Sequence, residues 1–196
     1  MHGLINRALQ DFLRDAHGRE AWAAIAGAAD VDVRGFEAML TYPDALTEAV
    51  LDAASAHLHT PRAMILEDLG TYLVSDPSME ALRRLLRFGG ANFMEFLYSL
   101  DHLPDRARLA VPDLDLPDLT LTEDGRQSYT LHCRDAWAGF CPILQGILRA
   151  MADDYGVLVM LDITGLEGPR TAIRIRLLDM RFARGRDFSL KGAAAP

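Results

Sequence analysis

The side chains able to do chemistry are few and scattered. Two cysteines, Cys133 and Cys141, fit neither a zinc spacing nor a disulfide framework. Each reads as a small buried hydrophobe or as half of a redox pair, and nothing close in sequence lowers a thiol pKa. His132 and Cys133 are adjacent, so on a strand they face opposite sides and cannot form a nucleophile–base pair. His57 and His59 stand two apart near a helix end and share no helical face, which argues against a metal pair. His17 precedes Gly18 as a cap-region residue, and His2 lies at the very start. Glu67-Asp68 and Asp153-Asp154 are paired acids with no second motif to complete an acid–base site. No P-loop, GxGxxG or Gly-x-Ser-x-Gly pattern occurs. An enzyme is therefore not expected.

The elements that must position these residues change character halfway along the chain. Leu4, Ile5, Leu9, Phe12 and Leu13 recur at helical spacing, and Gly18 breaks the pattern before a short helix around Trp22 and Ile25. Tyr42-Pro43-Asp44 opens a third helix, with Asp44 in its first turn. Thr60-Pro61 opens a fourth, with Thr60 as N-cap. Ser78 caps a fifth from Met79 to Phe88, and after Gly89-Gly90 a sixth runs from Asn92 to Leu103. Arg83, Arg84 and Arg87 on the fifth read as a solvated face. Beyond the loop DLDLPDL, residues 119–122 and 129–133 alternate as strands do, with Asp124-Gly125 as a hairpin turn. Phe140 to Ala152 is an apolar helix, and Val157–Thr164 and Thr171–Leu178 are two further strands joined across Gly165 to Pro169. The order predicts an α+β fold. An N-terminal helical part packs on a C-terminal antiparallel sheet that carries one long helix. Residues 1–190 read as a single domain and 191–196 as a disordered tail.

The 196 residues carry a net charge of −8. That argues against a nucleic-acid partner, which selects clustered Lys and Arg. No signal-peptide run or membrane-length apolar stretch appears, and the free cysteines suit a reducing compartment, so a cytoplasmic location is expected.

Several segments, taken in order, resemble the H-NOX (haem nitric oxide/oxygen binding) family, which includes the haem domain of soluble guanylate cyclase. They are MHGLIN with Phe12, Gly18 and Trp22; TYPDALTEAVLDAAS; LEDLGTYLV from Leu66; FLYSLDHL from Phe96; VPDLDLP from Val111; and LHCRDAWAGFCPILQG from Leu131. No single piece is specific; order and spacing carry the likeness.

The resemblance implies a haem, and it also marks where this chain departs from the family. The family's iron-ligating histidine stands three residues after the Asp of FLxxLD and eight before a proline. Counted from Asp101 or back from Pro112, that position is Pro104. Proline has no imidazole, lacks an N–H and tends to kink or end a helix. His102 is the substitute metal ligand to consider, but two residues of helix turn it by about 200° away from that place. The family's Tyr-x-Ser-x-Arg strand motif, which holds the haem propionates, maps to Cys133, Asp135 and Trp137 if Gly139-Phe140 and Gly146 set the register. A shifted register would align Arg134 at the cost of the glycine match. Cys133 as a thiolate could ligate iron, yet in this register it lies on the propionate side. Ile5 and Ile143 map to pocket-lining positions. Ile143 is the distal one, and without a donor there NO would be favoured over O2.

By this resemblance the chain is a sensory module without catalysis, ending soon after the sheet and acting on an effector in trans. Stand-alone relatives pair with histidine kinases or cyclic-di-GMP enzymes. Two readings stay open: a haem-based NO sensor with non-standard ligation, and a haem-free derivative that binds a protein or an apolar small molecule.

Overall fold

The computed structural model describes residues 1–134, 137–165 and 170–179. The expected tail at 191–196 and Asp135 lie outside the described residues, as does most of the last hairpin connection.

The first helices form where the apolar spacing places them. α1 (Gly3–His17) buries Leu9, Phe12 and Leu13. Gly18, at φ 92°, ends it and leads into α2 (Arg19–Ala28), a backbone conformation that L side chains rarely adopt. α3 (Asp44–Leu58) begins where the sequence predicts and ends at His59 in the left-handed region. α4 (Arg62–Ser75) starts one residue later than expected. Pro61, not Thr60, is its cap, and the Thr60 hydroxyl instead donates to the Leu58 carbonyl at 3.1 Å.

Three expectations need correction further on. Ser78 does not cap the fifth helix. The Asp76 carboxylate accepts from the Ser78 N–H at 2.8 Å and starts a 3-10 turn, Pro77–Met79, from which α5 (Glu80–Arg87) follows. The arginines of α5 are not a uniformly solvated face. Arg83 and Arg87 both pair with the buried Asp154, and the Arg87 guanidinium lies 4.1 Å from the centre of the Tyr155 ring. A helix wheel shows only an element's own residues, so it cannot see that a buried carboxylate from elsewhere faces two of them. The sixth helix is not continuous to Leu103. α6 (Phe93–Ser99), capped by Asn92, passes into a 3-10 turn, Leu100–His102, and a separate helix α7 (Leu103–Ala110) follows.

The sheet has strand order β1-β2-β4-β3 and is antiparallel throughout. Its strands are β1 (Asp118–Gly125), β2 (Ser128–Arg134), β3 (Leu158–Thr164) and β4 (Arg170–Asp179). The first hairpin turns two residues later than expected, at Arg126-Gln127, since Gly125 pairs with Ser128 and Gln127 takes φ 63°. Tyr129, Leu131 and Cys133 of β2 and Ile173, Ile175 and Leu177 of β4 point into the core; Thr122, Arg174 and Arg176 point outward. α8 (Phe140–Tyr155) is the long apolar helix and runs three residues beyond the expected end to Gly156, a left-handed cap. It packs on β3 and β4, and its other side lies on α4. Gly70 and Gly146 let α4 and α8 cross closely. A Cβ on Gly70 would sit 2.0 Å from the Ile143 carbonyl oxygen, and one on Gly146 would sit 1.9 Å from that of Glu67.

Candidate functional site

Two places carry the residues that sequence reasoning singled out, one at the α6–α7 break and one at the β2–α8 junction. At the break, Leu103 N–H bonds back to the Leu100 carbonyl, a 3-10 contact, so the Ser99 carbonyl loses its helical donor. Arg106 fills the vacancy: its guanidinium donates to the Ser99 carbonyl at 3.1 Å. Pro104 stands in the first turn of α7, where a missing N–H costs nothing. Proline thus starts a helix here as well as interrupting one. The Pro104 ring is buried, whereas His102 is exposed. Asp101, at the same break, accepts from the Leu121 N–H at 2.9 Å and ties this segment to β1.

At the junction, Cys133 ends the buried row of β2, and Arg134, next to it, is exposed on the other face. Trp137 is half-buried. Its indole N–H donates to Glu48 of α3 at 2.5 Å, and its ring meets the Phe140 ring edge-on at 5.8 Å. Gly139 is small because Trp137 covers it: a Cβ there would lie 2.2 Å from the indole. Glu48 also pairs with Arg62, which in turn holds Asp52 at 3.0 Å. Burial works against ionising Glu48, but the bonds from Arg62 and Trp137 outweigh it and hold its pKa below the ordinary value.

Ile143 is buried on α8, its carbonyl against Gly70, and Ile5 is half-buried on α1. Sequence reasoning missed the Trp137–Glu48–Arg62 chain, because Glu48 and Trp137 lie 89 residues apart. It also passed over His2, which is buried as the N-cap of α1 with Nδ1 accepting from the Leu4 N–H at 3.1 Å. It found no cause for a lowered thiol pKa, yet Cys141 is held below the ordinary thiol value by the Cys133 thiol, against the effect of burial.

These residues do not fit a haem held in the family's manner. The buried position of the break offers a pyrrolidine ring, and its neighbouring imidazole is exposed. At the other end, Arg62, which pairs with the Glu48 that Trp137 bonds, is already shared with Asp52. A propionate arriving there would meet the Glu48 carboxylate, with which it would repel in a partly desolvated site.

Comparison with known proteins places the fold. The chain is similar to the soluble guanylate cyclase gcy-31 of Caenorhabditis elegans, 23% identical over 79% of this chain and 22% of that protein. It is also similar to the rat guanylate cyclase soluble subunit beta-2, 31% identical over 46% of this chain and 13% of that one. The chain thus spans less than a quarter of the length of these curated relatives. Among solved structures, the iron(II) unliganded H-NOX protein of K. algicida superposes with a TM-score of 0.78 at 18% identity, covering 91% of this chain and 97% of that one. The S. oneidensis H-NOX protein in the iron(II)–NO state gives 0.73 at 15% identity, covering 91% and 100%. The haem-NO-binding family model matches residues 2–162, and the chain therefore belongs to the haem-NO-binding, or H-NOX, family.

Proposed function

We propose that this chain is a sensory module on the H-NOX fold that works without a haem held through an axial side chain of the α6–α7 segment. The observation that carries this reading is the buried Pro104 beside the exposed His102. The family's ligand position keeps its burial and loses its donor atom. The Trp137–Glu48 bond supports it from the other end, since it engages the indole that stands at the family's arginine position. In this reading the space between the helices and the sheet takes an apolar molecule, or the module changes state through a protein partner. A shift of the β2–α8 junction against α3 would then be the signal, because Trp137 joins the two directly. A signalling enzyme is the partner class that the family suggests: a cyclase, a histidine kinase or a cyclic-di-GMP enzyme.

A haem-based nitric oxide sensor with non-standard ligation is the second reading. The family match supports it, and the buried, donor-free Ile143 would then favour NO over O2.

A visible absorption spectrum before and after one equivalent of haemin separates the two. Folded protein from which haemin washes away on gel filtration, leaving no Soret band, is the expected outcome. A sharp Soret band that survives filtration and shifts with NO would overturn the haem-free reading. Pro104→His provides a gain-of-function control. Restoring the imidazole should give a retained Soret band, strengthened about tenfold in affinity or more when Trp137→Arg adds a charge-assisted propionate contact.

A further inference from the structure

The two edges of the sheet are unlike. β1, at one edge, is guarded. The 3-10 turn Leu100–His102 packs on it, the Asp101 carboxylate takes the Leu121 N–H at 2.9 Å, and Asp118, Glu123 and Asp124 charge it. β3, at the other edge, reads LVMLDIT from Leu158, with Asp162 as its single charge and no proline. Leu158 and Met160 are exposed on its outer face, and Val159 and Ile163 are half-buried on the inner one.

The ladder fixes which backbone groups face the β3 edge. The Leu177 N–H bonds to the Gln127 carbonyl at 2.9 Å, so odd-numbered residues of β4 bond towards β2 and even-numbered ones towards β3. Arg176, Arg174 and Ala172 are therefore the bonded partners of Met160, Asp162 and Thr164. The N–H and C=O groups of Val159, Leu161 and Ile163 are left directed at the open edge. Gln145 of α8 donates to the Leu161 carbonyl at 3.4 Å, which leaves that oxygen a second lone pair.

We infer that β3 pairs with β3 of a second copy of this chain, antiparallel about a two-fold axis at Leu161. In that register Leu161 faces Leu161 and Val159 faces Ile163, and these residues exchange N–H and C=O bonds across the seam. Their side chains form one apolar strip on the inner face. Met160 then stands opposite the second copy's Asp162, in a non-hydrogen-bonded pair where side chains lie closest. Charge complementarity selects this occupant. Arg176 lies over Met160, donates to its sulfur and comes no nearer than 3.9 Å to Asp162 of its own chain. The second copy's Asp162 arrives beside that guanidinium, and the two-fold axis repeats the contact, as an isologous interface requires. The inference stands apart from the haem question, because its readout is mass.

Sedimentation equilibrium of the full chain over a concentration series tests it, and a reversible monomer–dimer equilibrium is expected. Asp162→Arg and Arg176→Asp should each raise the dimer dissociation constant about tenfold, since two symmetry-related contacts change at once. The double variant, with the charges exchanged, should restore it. Urea midpoints close to that of the unchanged chain show that the variants are folded. Register is read by disulfide trapping. An oxidised mixture of Met160→Cys and Asp162→Cys should cross-link, because paired Cα atoms at about 4.5 Å lie within disulfide reach, and neither variant should cross-link alone. A chain that stays monomeric throughout the series overturns the inference. So does a dimer that survives both single charge changes, or one that cross-links equally well within either cysteine variant alone.

Discussion

The α4–α8 crossing and the α6–α7 break both keep the family's outline, but they keep it by different means. At the crossing, the outline depends on the absence of side chains. Gly70 and Gly146 each face a backbone carbonyl so closely that no larger residue fits without moving a helix. At the break, the outline depends on a side chain that completes an interrupted backbone. The Ser99 carbonyl, left without its helical donor, is bonded by Arg106, and Pro104 occupies a first-turn position that needs no N–H. Packing constraints of the first kind leave little freedom to a sequence. A break closed by a side chain leaves more.

The sharpest way to break this comparison is Gly146→Ala. The added methyl would collide with the Glu67 carbonyl, and the expected loss is about 3 kcal/mol or more in urea denaturation. Gly27→Ala is the matched control. It lies in exposed helix with nothing within 4 Å of the new Cβ, so a gain of about 0.5 kcal/mol is expected. If both glycines tolerate alanine equally, the crossing does not depend on close approach.

Next in size is Asp154→Asn. Asp154 and Arg87 are nearly buried and Arg83 about a third exposed, so removing the carboxylate charge leaves one cation poorly solvated. The expected cost is about 2 kcal/mol, below the range for fully buried pairs because Arg83 reaches water. A high-salt series checks the cause: a buried pair should resist screening, and a difference that disappears in salt would place the pair at the surface.

Pro104→Ala should cost less than about 1 kcal/mol, since the new N–H enters a first turn where no partner is required. A large loss would mean that the fixed proline φ, rather than the burial of its ring, sets the α6–α7 angle.

The same contrast explains what was legible in the sequence. The α+β order, the Gly18 break, the α3 start and all four strands follow from periodicity and punctuation, which are local. The separate helix α7 was not legible: a proline four residues past an apolar run reads as a stop, and only the Arg106–Ser99 bond shows how a new helix restarts there. At the site, Pro104 and Trp137 were placed by aligned spacing, but their surroundings were not. Glu48 and Arg62 come from distant elements, and nothing in a window of sequence registers them. Asp135 lies outside the described residues, so its place in the motif stays a matter of spacing alone.

The smallest expected effect sits at the junction and is carried by pH. Glu48 has a folded-state pKa below its ordinary value, because the bonds from Arg62 and Trp137 outweigh the opposing effect of burial. A carboxylate so shifted contributes stability that is present above its unfolded-state pKa and is lost as pH falls through the folded-state one. Trp137→Phe keeps a ring against Phe140 and removes one of the two stabilising bonds. At neutral pH it should cost about 1 kcal/mol, the low end for a bond to a charged group because Glu48 is more than a third exposed. As the pH is lowered through and below the usual carboxylate range, Glu48 becomes protonated in both proteins, and the gap between their urea midpoints should close. A gap that stays constant down to acid pH would show that Trp137 acts through packing alone. The link between the sheet and α3 would then be steric, and the junction would have lost the polar contact through which it is proposed to signal.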